Sequence, residues 1–311
     1  MKYKSRTLAT IDLGTNSLLM LVAHRGSDGI IKVLEDQNEV VRLGQGLEST
    51  GEISRHAMDR TLAALSHMKS SAEKHNCESI VLCATAALRE ASNQDVVIEQ
   101  IQNQTGLEVE VIAKNEEVRL TYLSVLADLS HDKPSMVVDI GGGSTEIGWG
   151  LGPRFDGGRS MSFGTVKLLE KQMQNNDLDA ARSHIDMHLQ RIPPLPPLEH
   201  YYGTAGSFTQ LAALIHEIGT YSPQHVDMKA IEKHALSQWI NRLSSMSLED
   251  IKQLPGVSEK RADVLLSGAL IVERLLEKFG ISSFLVRDRG IRFGKMFDQF
   301  KSFESPIEFP S

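Results

Sequence analysis

Ile11-Asp12-Leu13-Gly14-Thr15-Asn16-Ser17 and Val138-Asp139-Ile140-Gly141-Gly142-Gly143-Ser144 share one frame: apolar, Asp, apolar, Gly, two further residues, Ser. Apolar runs flank both strings. Thr7 to Leu13 leads into the first and Leu18 to Ala23 leaves it; Met136 to Ile140 leads into the second and Thr145 to Gly150 leaves it. Short β-branched runs bounded by Gly and Ser read as strands joined by tight turns. The frame is a strand–turn–strand unit used twice. Such a repeat predicts two related α/β domains facing one another across a cleft.

Working outward, Ile30 to Leu34 is a third short strand that completes an opening meander. Ser54 to His75 places Met58, Leu62, Leu65, Met68 and Ala72 on one face at helical spacing. Ser79 to Ala84 reads as a buried strand, Val96 to Gln104 as a helix ending at Gly106, and Glu108 to Ala113 as a strand. Asn115 is then expected to cap a helix with Glu116 and Glu117 in its first turn. Pro193-Pro194-Leu195-Pro196-Pro197 forbids a helix and reads as a stiff connector. A third small-residue turn, Gly203-Thr204-Ala205-Gly206-Ser207, opens an apolar helix around Leu211 and Leu214. From there to about Phe279 the pattern is mostly helical, and after Phe300 it is weak.

The chain has 311 residues, room for about two domains. With 41% apolar and 23% charged residues, bulk disorder is excluded. A net charge of −7 excludes a global basic field, so nucleic acid is not the expected partner. An anionic ligand must instead be held by local amides, a few placed cations or a metal. The two cysteines, Cys77 and Cys83, make neither a disulfide framework nor a Cys-based zinc site, which points to a reducing compartment. No apolar run approaches the roughly 20 residues that span a bilayer. Met1 to Arg6 is basic, but Asp12 and Gly14 interrupt the apolar run behind it, so a signal peptide is not expected. The reading is a cytoplasmic protein with no membrane partner.

Glycine turns at strand ends let backbone amides converge on an anion, because no Cβ blocks the approach. Three such turns, with their Ser and Thr hydroxyls, can ring an extended phosphate ligand. Asp12 and Asp139 end their strands and repel phosphate directly. A hard cation between carboxylate and phosphate resolves the repulsion, and Mg²⁺ suits an oxygen-only site. Glu146, on the outgoing strand, can face the same metal as Asp139. None of the turns is a Walker P-loop, since its Lys is absent. Glu116 and Glu117 suit the positive end of a helix on electrostatic grounds alone; a functional reading requires one of them to face the cleft and take a proton from water. Arg89 is either a surface helix charge or a bidentate clamp on a phosphoryl oxygen. Leu254-Pro255-Gly256-Val257-Ser258-Glu259-Lys260-Arg261-Ala262 looks like a helix-hairpin-helix DNA hairpin, against which the net acidity argues. His184 and His188 have a metal-compatible spacing, but a solvated helix face is the better reading.

The strings together resemble the exopolyphosphatase / guanosine pentaphosphate phosphatase family of the actin-like phosphotransferase superfamily. Ala9 to Ser17 resembles the opening phosphate loop of the family. Arg42-Leu43-Gly44-Gln45-Gly46-Leu47 resembles its segment before the first long helix. Ala84 to Ala91 resembles the Arg-bearing segment, and Asn115 to Leu120 the segment with the catalytic glutamate. Val138 to Glu146, Gly203 to Ser207 and Gly290-Ile291-Arg292-Phe293-Gly294 follow in the expected order. The resemblance implies two ribonuclease-H-like (actin-like ATPase) domains flanking an interdomain cleft. These would be 1–123, binding phosphate, and 124–294, with 295–311 packing back on the first. It implies Mg²⁺-dependent hydrolysis of the terminal phosphoryl group of inorganic polyphosphate, guanosine pentaphosphate being a further substrate.

By position, Glu117 matches the general base and Arg89 the phosphate-gripping cation. Asp139 and Glu146 match the metal carboxylates. The implied phosphate-binding set is Asp12, Gly14, Thr15, Asn16 and Ser17, then Gly141, Gly142, Gly143, Ser144 and Thr145, then Gly203, Thr204, Gly206 and Ser207. The family often has Arg where Lys167 stands, and usually Ser and Glu at Arg287 and Phe293. A homodimer is the family-based expectation. The competing readings are a sensor that binds polyphosphate or a guanosine alarmone without turnover, and an ATP-dependent kinase of the same superfamily.

Overall fold

The computed structural model describes residues 3–129, 132–172, 177–301 and 305–309. The chain forms two compact units. The first comprises Met1–Asp132, Gly152–Phe155 and Gly290–Ser311, and the second Lys133–Leu151 and Asp156–Arg289. Of the C-terminal stretch expected to return to the first domain, 302–304 and 310–311 lie outside the described residues.

Unit 1 runs β1 (Arg6–Leu13), β2 (Ser17–Arg25), β3 (Ile31–Val40), α1 (Leu47–Thr50), α2 (Arg55–Lys74), β4 (Ser79–Ala84), α3 (Ala86–Glu90), α4 (Gln94–Thr105), β5 (Val109–Val111) and α5 (Lys114–Leu126). Unit 2 runs β6 (Pro134–Ile140), β7 (Thr145–Leu151), β8 (Arg154–Met161, from Asp156 on), α6 (Thr165–Gln172), α7 (Leu178–Leu189), β9 (His200–Thr204), α8 (Ala205–Ile215), α9 (Pro223–Val226), β10 (Ala230–Glu232), α10 (Lys233–Ser245), α11 (Leu248–Lys252), α12 (Leu265–Phe279) and β11 (Ser283–Val286). Then α13 (Ile291–Phe300) and β12 (Ile307–Glu308) return to unit 1.

The repeat in the sequence is a repeat in the sheets. Unit 1 has the order β12-β3-β2-β1-β4-β5 and unit 2 the order β10-β11-β9-β6-β7-β8. Without β12 and β10, each reads as an antiparallel meander whose first strand pairs in parallel with the next strand of its unit. Parallel strands collect their C-terminal ends, and the turns that follow them, on one edge of a sheet.

Alternation along β1 sorts its residues between two faces. Ala9, Ile11 and Leu13 join the core with Met58, Leu62, Leu65 and Met68 of α2. Leu8 joins the opposite core with Phe293, Met296, Phe297 and Phe300 of α13, and Thr10 Oγ1 donates to the Arg292 carbonyl there, at 2.7 Å. Asp12 shares this second face by register. α2 starts where Ser54 Oγ accepts from the Ala57 amide, and its expected apolar residues are buried.

Three local expectations need correction. β3 runs to Val40, because its polar residues have partners: Asp36 takes a forked pair of bonds from Arg292, and Glu35 accepts from Ser71 at 2.6 Å. The strand expected over Glu108 to Ala113 is only Val109–Val111. Asn115 does not cap α5; the helix begins at Lys114, and Asn115 Oδ1 accepts from the neighbouring Glu116 amide. Among the described residues, no helix is long and apolar enough to cross a membrane.

Candidate active site

In unit 1 the β1–β2 turn closes through a bond from the Gly14 amide to the Ser17 carbonyl, at 2.9 Å. In unit 2 the β6–β7 turn closes identically, Gly141 to Ser144, at 3.0 Å. A Cβ on either glycine would sit 3.2 Å from that same Ser carbonyl oxygen. The two strings thus fold into matching tight turns, in which a side chain at the glycine would require the facing carbonyl to give by a few tenths of an ångström. The first turn is braced further: the Val41 and Arg42 amides donate to the Asn16 carbonyl and the Gly44 amide to that of Thr15.

The C-terminal edge of β1, β4 and β5 gathers the remaining unit 1 candidates. α3 follows β4 directly and carries Arg89; α5 follows β5 and carries Glu117 in its first turn. Arg89 Nη1 donates to the Ile112 carbonyl and to Glu117 Oε2, both at 2.8 Å. Glu117 is buried, at 3% exposure, so it is not the solvated first-turn acid that electrostatics alone would place there. Burial pushes its pKa above the ordinary carboxylate value, and the Arg89 guanidinium pulls against that rise. Nε and Nη2 of Arg89 are sealed from solvent with no hydrogen-bond partner among the described residues. A guanidinium with donors left over beside a carboxylate of raised pKa can hold an anion while the carboxylate takes a proton. Glu116 serves structure instead, accepting both bonds of a fork from Arg119, which also reaches Asp298 of α13.

In unit 2 a polar row crosses the sheet. Asp139 of β6 lies opposite Glu146 of β7 and beside Thr204 of β9. All three are buried, and Glu146 Oε1 accepts from Ser160 Oγ of β8 at 2.7 Å. Side chains directly opposed on antiparallel strands are close neighbours, so two carboxylates here repel unless a cation lies near them. Among the described residues no group of three or more His, Cys, Asp or Glu is placed to hold a metal. Two carboxylates are nevertheless the donor set that suits Mg²⁺, which keeps waters and shares phosphate oxygens.

Gly164 packs on the second turn. A Cβ there would lie 2.5 Å from the Gly141 carbonyl oxygen and 2.7 Å from that of Gly142. The Thr165 and Val166 amides cap those two carbonyls, and Thr145 Oγ1 donates to the Phe163 carbonyl. The third turn is bent hard: Ala205, a residue with a side chain, has φ +70°, and α8 starts there. Ser207 Oγ donates to the Ile140 carbonyl at 3.4 Å, tying the third turn to the second. Gly206 lies under the Arg261 guanidinium, close enough that a Cβ could not be added without moving it. Arg261 was legible in the sequence only as part of a DNA hairpin; nothing in its spacing links it to a turn so far upstream.

The structure therefore brings Arg89 to Glu117 in unit 1, and Asp139, Glu146 and the second and third turns to one another in unit 2. A profile of the Ppx/GppA phosphatase family matches residues 21–303. Exopolyphosphatase 2 of Mycobacterium tuberculosis is 30% identical over 92% of this chain and 96% of its own. A guanosine-5'-triphosphate,3'-diphosphate pyrophosphatase of Vibrio atlanticus is 29% identical over 94% of this chain, which spans 60% of that protein. Among solved structures, the Ppx/GppA family member of Aquifex aeolicus is 27% identical, with a TM-score of 0.81 over 95% of this chain and 98% of its own. The expected pair of actin-like α/β units is the fold found.

Proposed function

Since the chain belongs to the Ppx/GppA phosphatase family, we propose that it hydrolyses the terminal phosphoryl group of inorganic polyphosphate, with guanosine pentaphosphate as a further substrate. The observation that carries this reading is the buried Glu117–Arg89 pair, with its raised carboxylate pKa and its spare guanidinium donors. Glu117 takes the proton of the attacking water. Arg89 holds a phosphoryl oxygen, so that it neutralises charge and orients its neighbour together. The amides and hydroxyls of the first turn, in the same unit as Glu117 and Arg89, hold further phosphate oxygens. Phosphoryl transfer needs little beyond such positioning and charge stabilisation. Mg²⁺ held by Asp139 and Glu146 would supply neutralisation of phosphate charge.

Phosphate release is measured from long-chain polyphosphate, short-chain polyphosphate, guanosine pentaphosphate and ATP, each with Mg²⁺ and with chelator. Glu117→Gln is expected to lower turnover about 10²-fold or more while leaving binding near wild type. Release that persists in Glu117→Gln removes the base from the mechanism. Binding of one substrate without release turns the reading toward a sensor, and release that requires an acceptor turns it toward a kinase.

A further inference from the structure

α5 carries three polar side chains along one stripe. Glu117, Thr121 and Ser124 are spaced by four and three residues, which stacks them on one helix face. Their exposures are 3, 2 and 0%. Two of the three have evident partners. Glu117 Oε2 accepts from Arg89, and Ser124 Oγ donates to the Thr121 carbonyl at 2.7 Å and accepts from the Gly290 amide at 3.2 Å. Thr121 Oγ1 differs: it is sealed from solvent and has no hydrogen-bond partner among the described residues.

A helical threonine can turn its hydroxyl onto the carbonyl three or four residues back. Thr121 does not. A buried hydroxyl without a partner is destabilising, and valine fills the same volume without that cost. The hydroxyl sits one helical turn from Glu117, whose Oε1 accepts no hydrogen bond from the described residues. Each carboxylate oxygen has two lone-pair sites, so Oε1 can take a proton and accept a bond at once.

We propose that Thr121 is a positioning residue for Glu117, its hydroxyl donating to Oε1 during turnover while Arg89 holds Oε2. The proposal rests on the reading of Glu117 as the base. The charged groups that bear on Glu117 are Arg89 and Glu90 from α3 and Lys114 from its own helix, and a change at Thr121 alters none of them.

The test is steady-state phosphate release from polyphosphate across pH for wild type, Thr121→Val, Thr121→Ser and Glu117→Gln, with a thermal melt of each. Thr121→Val should lower kcat about tenfold with KM unchanged, the scale of one lost hydrogen bond. The acid limb of its kcat profile should move to higher pH, because a donor that favours the carboxylate is gone. Its melting temperature should be no lower than wild type, and Thr121→Ser should restore both rate and limb. Wild-type kcat and an unmoved limb in Thr121→Val overturn the proposal, as does a loss that accompanies a lowered melt and is not restored by serine. Glu117→Gln separates the two ideas. If it is inactive while Thr121→Val is wild type, only the role of Thr121 fails; if it is active, the base fails and Thr121 with it.

Discussion

At the scale of single residues, burial decides what Glu117 is. Two acids in the first turn of a helix have an electrostatic explanation that needs no chemistry. Glu116 fits it, tied to Arg119; Glu117 is buried against Arg89. Two opposing effects set its ionisation, with burial raising the pKa and the Arg89 guanidinium lowering it. The base works only when ionised, so activity is lost as pH falls through that pKa. The acid limb of kcat/KM is therefore expected above the ordinary glutamate value. Arg89→Met removes the cation and leaves the burial, so the limb should move further up while kcat/KM falls at every pH. A limb that stays in place would mean that Arg89 does not set the charge state of Glu117. The pairing itself was illegible in the sequence. Arg89 and Glu117 stand 28 residues apart with a helix and a strand between them, and no spacing rule connects them. Asp12, Gly14, Asp139 and Gly141 were legible because the repeat marks them twice.

At the scale of elements, alternation and helical spacing located β1, β2, β4, β6, β7 and α2, while β8 to β12 carried no individual signal; one cause of a miss is a partner far away in sequence. The polar end of β3 looks like a loop until Arg292, 256 residues away, supplies the partner for Asp36. The positive φ of Ala205 was unreadable because an L side chain disfavours that conformation. Gly294 shows the same limit from the other side. It belongs to a motif that the sequence flags, yet the reason lies in packing. A Cβ there would come within 2.0 Å of the Leu120 carbonyl oxygen, so α13 crosses α5 with backbone against helix. Gly294→Ala must push the two helices apart, at a cost of about 1–3 kcal/mol. Spread over units of this size, each kcal/mol is worth about 2–4 °C of melting temperature. Thermal melts should show that loss. An unchanged melt would mean that the crossing relaxes freely.

At the scale of the whole molecule, duplication explains why so much was readable, and the chain's return explains what was not. Each unit closes its own meander and parallel pair, but unit 1 is finished by residues that arrive last. Phe293, Met296, Phe297 and Phe300 of α13 cover Leu8, Leu21, Ala23, Ile31 and Val33, all of them buried. Arg292 fastens the same helix to Asp36 of β3, and Lys295 fastens it to Glu110 of β5 with bonds of 2.7 and 2.8 Å. A chain ending at Arg289 would leave that face of the sheet in water. Each large side chain no longer covered forfeits about 1.5–3 kcal/mol of burial, and several are lost together. Marginal domain stability does not survive a deficit of that size. Limited proteolysis of the truncated chain should cut throughout 3–129, while 177–289 stays protected, because the unit 2 core is built from its own residues. Protection of both segments would show that α13 is an ornament on unit 1 and not part of its core. Cleavage of both would show that unit 2 depends on a folded unit 1.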